Sequence, residues 1–105
     1  MEERKKVLLI CGAGMSSGII SKNAKKYAKK EDIKIDFEAR SNSEVSPYLS
    51  SIDLLMIGPH YALELEKFKK MAEPYNVPVI TIPRKTYAMM DGEAIVKIAL
   101  ENFNK

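Results

Sequence analysis

Four short segments rich in aliphatic residues predict β-strands over residues 7–10, 33–37, 54–57 and 77–82. The first and third segments are apolar at every position, which is typical of central strands that helices cover on both faces of a parallel sheet. The second segment alternates apolar and charged residues, so one of its faces is more exposed to solvent. We therefore expect the second strand to lie at an edge of the sheet.

Apolar residues repeat at helical spacing in three further segments, over residues 18–30, 61–72 and 92–103. The first helix presents five lysines on its outer face. The second has glutamates in its first half and lysines in its second half, as the helix dipole favours. Asp91 is positioned to cap the third helix. A short helical turn is also predicted within residues 43–49.

The elements alternate in the order β, α, β, turn, β, α, β, α, which predicts a mainly parallel sheet joined by right-handed crossovers. For four strands we expect a small flavodoxin-like α/β fold of three layers, with strand order 2-1-3-4 and helices on both faces. Ligands of such sheets bind at the carboxyl ends of the strands beside the switch point, here between the first and third strands. The loops that start at Cys11 and Gly58 should meet there.

Length and composition indicate a single domain over residues 1–105, because 46% hydrophobic and 30% charged positions suit one compact core. A large multi-domain enzyme is excluded. The net charge of +3 is too mild for a typical nucleic-acid-binding domain. The apolar run near the start is too short for a signal peptide or a membrane span, and one cysteine cannot form an internal disulfide. We therefore expect a cytoplasmic protein.

The segment between the first strand and the first helix has the composition of an anion-binding loop. Small residues let successive backbone N–H groups point inward, and the start of the helix adds unpaired amides and its positive dipole end. A cysteine at the edge of such a loop is favoured as a thiolate, which makes it a nucleophile. The candidate nucleophile is Cys11, and the candidate phosphate-binding residues are Gly12, Ala13, Gly14, Met15, Ser16, Ser17 and Gly18.

Several interpretations compete for this loop. In the simplest, Cys11 is a small buried hydrophobic residue at the end of a core strand. A nucleotide-binding P-loop is excluded because no lysine follows the loop before Lys22. A dinucleotide fingerprint fits poorly, because Gly12, Gly14 and Gly18 are spaced one residue too widely.

A small cysteine phosphatase is the strongest alternative. The loop of that class resembles CxxxxxR, in which the arginine clamps the transferring phosphoryl group, but the matching position counted from Cys11 is Ser17. Without the guanidinium, rapid hydrolysis of a phosphocysteine is disfavoured. The loop therefore suits a protein that holds a phosphoryl group until an acceptor arrives. A phosphatase, an arsenate-reductase-like enzyme and a non-catalytic anion-binding module stay open as alternatives.

Three short motifs follow the predicted strands one, three and four. They are Cys-x-Ala-Gly-Met-Ser beginning at Cys11, then Gly58-Pro59-His60, and then Tyr87-x-x-x-Asp91-Gly92. In this order they resemble the active loop and two further loops of the lactose/cellobiose-type enzyme IIB subunits of the bacterial sugar phosphotransferase system. The resemblance covers essentially the whole chain.

The resemblance implies a phosphocarrier that needs no metal and no cofactor. A IIA partner bearing phosphohistidine would donate to Cys11, and the phosphoryl group would then pass to a sugar held by the membrane subunit IIC. Backbone amides of residues 12–18 would hold the phosphoryl group, with two serine hydroxyls as further donors. Cellobiose, other β-glucosides, chitobiose and lactose all stay open as the sugar. A monomer that docks transiently, without inserting into the membrane, is expected.

Further residues near the carboxyl ends of the strands are candidate contacts to the loop or to a partner protein. They are Arg40, His60, Arg84, Lys85, Tyr87 and Asp91. Structural alternatives stay open, since His60 begins a helix, Asp91 caps one, and the cations form a solvated rim. Met15, Met89 and Met90 are candidates for an adaptable apolar surface around the loop, with core filling as the alternative for the last two.

Overall fold

The computed structural model of the chain describes residues 5–10, 15–41 and 44–103. Within these ranges, one parallel four-stranded sheet has the order β2-β1-β3-β4, so the predicted strand order is confirmed. The strands are β1 (Lys5–Ile10), β2 (Ile35–Arg40), β3 (Leu54–Ile57) and β4 (Val79–Thr81). As predicted, β1 and β3 are central and β2 lies at an edge.

The four strands end together at one side of the sheet. Ile10, the last residue of β1, is opposite Arg40 of β2 and Ile57 of β3. Ile57 is in turn opposite Thr81 of β4. We call this side the carboxyl end of the sheet, and it is the side at which open α/β sheets bind ligands.

The described residues form four α-helices, α1 (Met15–Lys30), α2 (Leu65–Ala72), α3 (Arg84–Ala88) and α4 (Gly92–Phe103). The bounds predicted for α4 are confirmed, whereas α1 begins at Met15 rather than at residue 18. The apolar pattern does not predict α3, because this short helix has no apolar stripe and its one buried residue is Thr86. No helix in the described ranges is long and apolar enough to cross a membrane.

The segment predicted as one helix over residues 61–72 consists of a 3₁₀ helix (Pro59–Glu64) followed by α2. Proline is favoured at the start of a helix because it has no N–H that needs a partner, so helical structure begins before the predicted residue. The buried side is as predicted, since Phe68 and Ala72 face the core. The turn predicted within residues 43–49 is a 3₁₀ helix (Ser46–Tyr48).

Two strands have different bounds from those predicted. β2 begins at Ile35, because Ile33 donates its N–H to the carbonyl of Ala28 and so still belongs to the turn after α1. The strand then continues to Arg40, paired along its whole length with β1. β4 begins only after Pro78, which has no N–H to contribute to a ladder.

The two faces of the sheet carry separate apolar cores. Along β1, Val7 and Leu9 belong to the core formed with α1 and α4, whereas Leu8 and Ile10 belong to the core formed with α2 and with residues 45–49. All four side chains are at most 1% exposed. The same division holds for β3, whose residues are all buried. Both strands are therefore apolar throughout, and the predicted three-layer arrangement is confirmed.

Candidate functional site

The predicted loop begins directly after β1 and ends in the first turn of α1. Four of its residues, Cys11, Gly12, Ala13 and Gly14, lie outside the described residues. The other four, Met15, Ser16, Ser17 and Gly18, begin α1, and the first turn of this helix contains no acidic residue. The first N–H groups of a helix have no partner within it, and its dipole favours negative charge there. A 16-residue helix thus starts four residues after the candidate nucleophile in the sequence, in the segment that follows the carboxyl end of β1.

The turn after β3 adjoins the end of β1. The Gly58 N–H donates a hydrogen bond of 2.7 Å to the carbonyl oxygen of Ile10, the residue that precedes Cys11. Ile82 in turn donates its N–H to the carbonyl oxygen of Ile57, at 2.8 Å. These bonds extend the pairing beyond the last strand residues, so the segments that follow β1, β3 and β4 begin side by side. This is the switch point at which the sequence predicts ligand binding.

His60 folds back over the first residue of its own turn. A methyl group in place of the Gly58 hydrogen would lie 2.7 Å from His60 Cε1 and 3.4 Å from the carbonyl oxygen of Ile10. The imidazole centroid lies 4.5 Å from the ring centroid of Tyr61 and 5.5 Å from that of Tyr87. His60 is exposed. Its ring therefore joins the second motif to Tyr87 of the third, beside the end of β1.

Arg40 ends the edge strand β2 and makes its described contacts close to that strand. Its Nε donates a hydrogen bond of 2.7 Å to the Tyr48 hydroxyl, and its guanidinium forms an ion pair of 2.9 Å with Glu38. The guanidinium also lies over the ring of Tyr48, at 5.3 Å from its centroid. The hydrogen bond to Tyr48, with a smaller contribution from Glu38, raises the pKa of Arg40 above its usual value. These contacts hold the 3₁₀ helix (Ser46–Tyr48) to the sheet edge, whereas contact of Arg40 with a partner stays a prediction.

Arg84 and Lys85 begin α3, three residues after the end of β4. Both side chains are exposed, and neither has a hydrogen bond or an ion pair with any residue that the structure describes. Their position just after β4 agrees with the predicted location near the carboxyl end of the sheet, whereas contact with the loop or with a partner stays a prediction. Two unneutralised cations at this end favour an approaching anion, because exposed charges act over about 10 Å at moderate ionic strength.

The third motif joins α4 to α1. The Asp91 carboxylate accepts a hydrogen bond of 3.0 Å from the backbone N–H of Ala94, so its predicted role as N-cap is confirmed. Gly92 packs against the backbone of α1, because a methyl group at this position would lie 2.3 Å from the carbonyl carbon of Asn23. The Asn23 side chain donates a hydrogen bond of 2.9 Å to the carbonyl oxygen of Met90. These contacts of Asp91 and Gly92 are structural.

Asp91→Ala is expected to lower the free energy of unfolding by about 1 kcal/mol, because it leaves the Ala94 N–H without its cap. Asp91→Asn keeps an acceptor oxygen at the cap, so it should lower the free energy of unfolding by at most a few tenths of that ~1 kcal/mol. Chemical denaturation of the three proteins measures the difference. Equal losses in both variants would mean that the charge of Asp91, and not its capping bond, stabilises the fold.

Three residues contact the candidate site residues or their elements, and the sequence analysis does not predict these contacts. Tyr48 binds Arg40, Tyr61 packs on His60, and Asn23 ties α1 to the turn before α4. For Tyr61 the available signal is an aromatic residue next to the only histidine of the sequence. Tyr48 and Asn23 carry no local signal, since their partners lie on other elements.

No three His, Cys, Asp or Glu side chains in the described part of the chain lie close enough to hold a metal ion.

The fold and the switch point define an open α/β protein with a candidate anion site after its first strand. The sequence model of the lactose/cellobiose-specific IIB subunit family of the PTS system matches residues 6–98, and the chain belongs to that family. It is therefore a component of a sugar phosphotransferase system and a transferase. IIB components of such systems work with IIA and IIC partners.

Individual relatives agree with the family assignment. The chain is 29% identical over 96 residues to the oligo-beta-mannoside-specific EIIB component of Bacillus subtilis, covering 91% of this chain and 93% of the relative. It is 28% identical over 100 residues to the cellobiose-specific EIIB component of Lactococcus lactis, covering 90% and 93%. Among solved structures, the cellobiose-specific IIB component of Borrelia burgdorferi matches with a TM-score of 0.81 and 27% identity, covering 99% of this chain and 95% of that chain.

Proposed function

We propose that this chain is a phosphocarrier and that Cys11 holds the phosphoryl group between two partner proteins. The observation that supports this most is the 2.7 Å hydrogen bond from Gly58 to Ile10. Ile10 directly precedes Cys11 and lies at the switch point of the sheet, where ligands of this fold class bind. The start of α1 and the cations of α3 add positive potential at the same end.

In the first step, the phosphoryl group moves from IIA to Cys11. The Cys11 thiolate attacks the phosphorus of a phosphohistidine on IIA, an S–P bond forms, the P–N bond breaks, and the imidazole nitrogen keeps the electron pair. Backbone N–H groups of residues 12–18 would bind the phosphoryl oxygens. The helix N-terminus favours the thiolate, which makes Cys11 both a good nucleophile and a good leaving group.

In the second step, a sugar hydroxyl bound by the membrane subunit IIC attacks the phosphorus. The S–P bond breaks, the thiolate leaves, and the hydroxyl proton passes to a base in the sugar complex. Relatives named for cellobiose and for oligo-beta-mannosides support cellobiose or a related β-glucoside or oligosaccharide as the sugar. This step would bring the cytoplasmic chain transiently to the inner face of the membrane. A monomer stays the expected state of the chain between the two encounters.

The proposal is tested by phosphoryl transfer in solution. The chain is incubated with phosphoenolpyruvate, the general phosphotransferase components and a IIA protein, and its intact mass is followed over time. We expect a gain of one phosphoryl group that persists and that requires IIA. Mass gain in the absence of IIA would contradict the assigned donor.

The same experiment separates the competing functions. Rapid turnover of an aryl phosphate by the chain alone, without a lasting phosphorylated form, would establish the phosphatase alternative instead. Absence of both turnover and phosphorylation, in a reaction where the mass of IIA confirms its own phosphorylation, would leave an anion-binding module.

His60→Gln is expected to accept the phosphoryl group at the wild-type rate. The imidazole packs on Tyr61 and Tyr87, so its loss should cost at most about 1 kcal/mol of stability from ring packing. Glutamine keeps a polar side chain at the turn. The transfer rate is measured by the same mass time course, and a strong decrease at unchanged stability would assign chemistry to the imidazole.

A further inference from the structure

The outer face of α1 concentrates positive charge. All of its lysines are exposed, and the helix contains no acidic residue. At 3.6 residues per turn, the lysines fall within less than half of the helix circumference, opposite the buried residues Ile20, Ala24 and Ala28. We call this band the lysine face, and it consists of Lys22, Lys25, Lys26, Lys29 and Lys30.

The charges of the lysine face repel one another within the helix. Each lysine has another lysine three or four positions away, and like charges at this spacing destabilise a helix. The helix dipole favours Lys29 and Lys30 in the last turn, but not the three lysines before them. None of the five forms a hydrogen bond or an ion pair with a residue that the structure describes. The stability of the fold therefore does not account for this concentration of charge.

The solvated faces of α2 and α4 are built differently. Residues 64–73, which include α2, contain three glutamates and three lysines, and Lys67 pairs with Glu64 at 3.7 Å. On α4, Lys97 pairs with Glu93 at 2.8 Å. These two helices mix both signs of charge, as is ordinary for helices that only face solvent. The lysine face is thus an exception within the same chain.

An exposed apolar side chain lies beside the lysine face. A surface cavity of about 400 Å³ between α1 and the turn before α4 includes Lys26, Lys30 and Met89 in its lining, and Met89 is 65% exposed. Two carboxylates also line this cavity, but both have partners on α4. Asp91 accepts the capping hydrogen bond, and Glu93 pairs with a lysine of its own helix. The surface around Met89 therefore combines free cations with an apolar group.

We propose that the lysine face binds the surface of a membrane that contains anionic lipids. The phosphate groups of such lipids form a layer of negative charge, which attracts a cluster of lysines without requiring a shaped pocket. Met89 would contact the apolar boundary beneath the headgroups. This binding is peripheral, since the apolar side of α1 is buried in the core of the protein.

The residue types favour a lipid surface over an acidic protein as the partner. The lysine face contains no arginine. Arginine and aromatic residues are enriched at protein interfaces, whereas lysine is depleted there. A lysine ammonium is a strongly hydrated point charge on a flexible stem, so it suits diffuse attraction to many headgroups better than fixed contacts to one partner group.

Binding through the lysine face leaves the candidate site uncovered. Lys22 lies about 10 Å and Lys30 about 22 Å along the axis from the start of α1, since each helical residue advances 1.5 Å. The bound chain would lie at the surface of the membrane that holds the proposed acceptor subunit IIC. The inference goes beyond the proposed function, because lipid binding requires neither Cys11 nor a phosphoryl group.

The test compares two triple variants that remove the same amount of charge. Each replaces three exposed lysines by glutamine: Lys25→Gln, Lys26→Gln and Lys29→Gln in the α1 variant, and Lys67→Gln, Lys69→Gln and Lys70→Gln in the α2 variant. α2 packs on the opposite face of the sheet from α1, so the second variant is a matched control. Binding is measured by co-sedimentation with vesicles of phosphatidylglycerol and phosphatidylcholine, and with uncharged vesicles of phosphatidylcholine alone.

The wild-type chain should bind the anionic vesicles and not the uncharged ones. Salt at about 1 M should abolish the binding, because it screens exposed charges beyond about 3 Å. Each lysine near an anionic surface contributes about fivefold to the partition coefficient, so the α1 variant should bind about a hundredfold more weakly. The α2 variant should bind within about twofold of the wild type.

Three results would overturn the proposal. One is the absence of wild-type binding to anionic vesicles, and another is an equal loss in both variants, which would assign the binding to net charge. The third is binding of polyglutamate under conditions in which the vesicles bind no chain, which would assign the lysine face to an acidic protein.

Two further measurements keep the interpretation clear. Denaturation should show the α1 variant to be at least as stable as the wild type, because like charges one turn apart have been removed, so unfolding would not explain lost binding. Phosphoryl transfer from IIA in solution is measured separately. Its failure would contradict the proposed function and leave the lipid-binding result unaffected.

Discussion

Cys11→Ser is expected to gain no phosphoryl group from phosphorylated IIA, under conditions in which the wild-type chain gains one. A serine hydroxyl is a weak nucleophile unless a general base activates it, whereas a cysteine thiolate is intrinsically a strong nucleophile. We expect the rate to fall by about a thousandfold or more, as when a nucleophile is removed from other covalent mechanisms. The intact-mass time course measures the loss.

Two controls make the Cys11 experiment decisive. The variant should unfold at the same denaturant concentration as the wild type, which excludes misfolding as the cause. The mass of IIA in the same reaction must include its own phosphoryl group. Phosphorylation of Cys11→Ser at the wild-type rate would mean that another side chain is the acceptor. His60, the only histidine of the sequence, would then be examined first.

Gly92→Ala is expected to lower the free energy of unfolding by about 3 kcal/mol, a large part of the stability of a small domain. The added methyl group would lie 2.3 Å from the Asn23 carbonyl carbon, 2.4 Å from its oxygen and 2.6 Å from the Ala24 nitrogen. These are backbone atoms in the middle of α1, so no side-chain rotation relieves the overlap. The two helices must separate, and the core that they share with the sheet loosens. Chemical denaturation measures the effect.

Gly18→Ala provides the matched control for Gly92. Both glycines lie within helices, but a methyl group at Gly18 meets no atom of the described residues within 4 Å apart from the adjacent helix backbone. Alanine should therefore stabilise the chain by about 0.5–1 kcal/mol, because it restricts the unfolded chain without any overlap in the folded one. If Gly92→Ala were as stable as Gly18→Ala, the close approach of α4 to α1 would be disproved.

Elements whose burial is uniform or strictly periodic could be predicted from the sequence. β3 is buried at every residue and α4 buries one stripe, and both have the predicted bounds. The elements that differ depend on interactions outside the local pattern. β2 extends to Arg40 because β1 offers a partner along its whole length, and α3 forms although only Thr86 is buried.

In the candidate site, too, some features could be predicted from the local sequence and others could not. The first motif is local, so small residues before a helix suffice to predict an anion site from the chain alone. The third motif is different, because its residues act on distant elements. Asp91 caps α4, and Tyr87 contacts His60. Gly92 has no side chain, which allows the backbone of α1 to pack closely against it. Their partners are far away in sequence, and spacing along the chain carries no information about them.

By itself, the sequence determined the α/β class, the strand order, the buried faces and the residue proposed to carry the phosphoryl group, because periodic burial and local loop composition are properties of neighbouring residues. The tertiary structure decided which side chains surround the switch point and which remain exposed there. Met89 and Met90 illustrate the difference, since the sequence leaves a surface role and core filling open for both, whereas in the structure Met89 is 65% exposed and Met90 packs partly buried against the core. Burial at such a position depends on how the segment packs against other elements, and only the folded chain determines that packing.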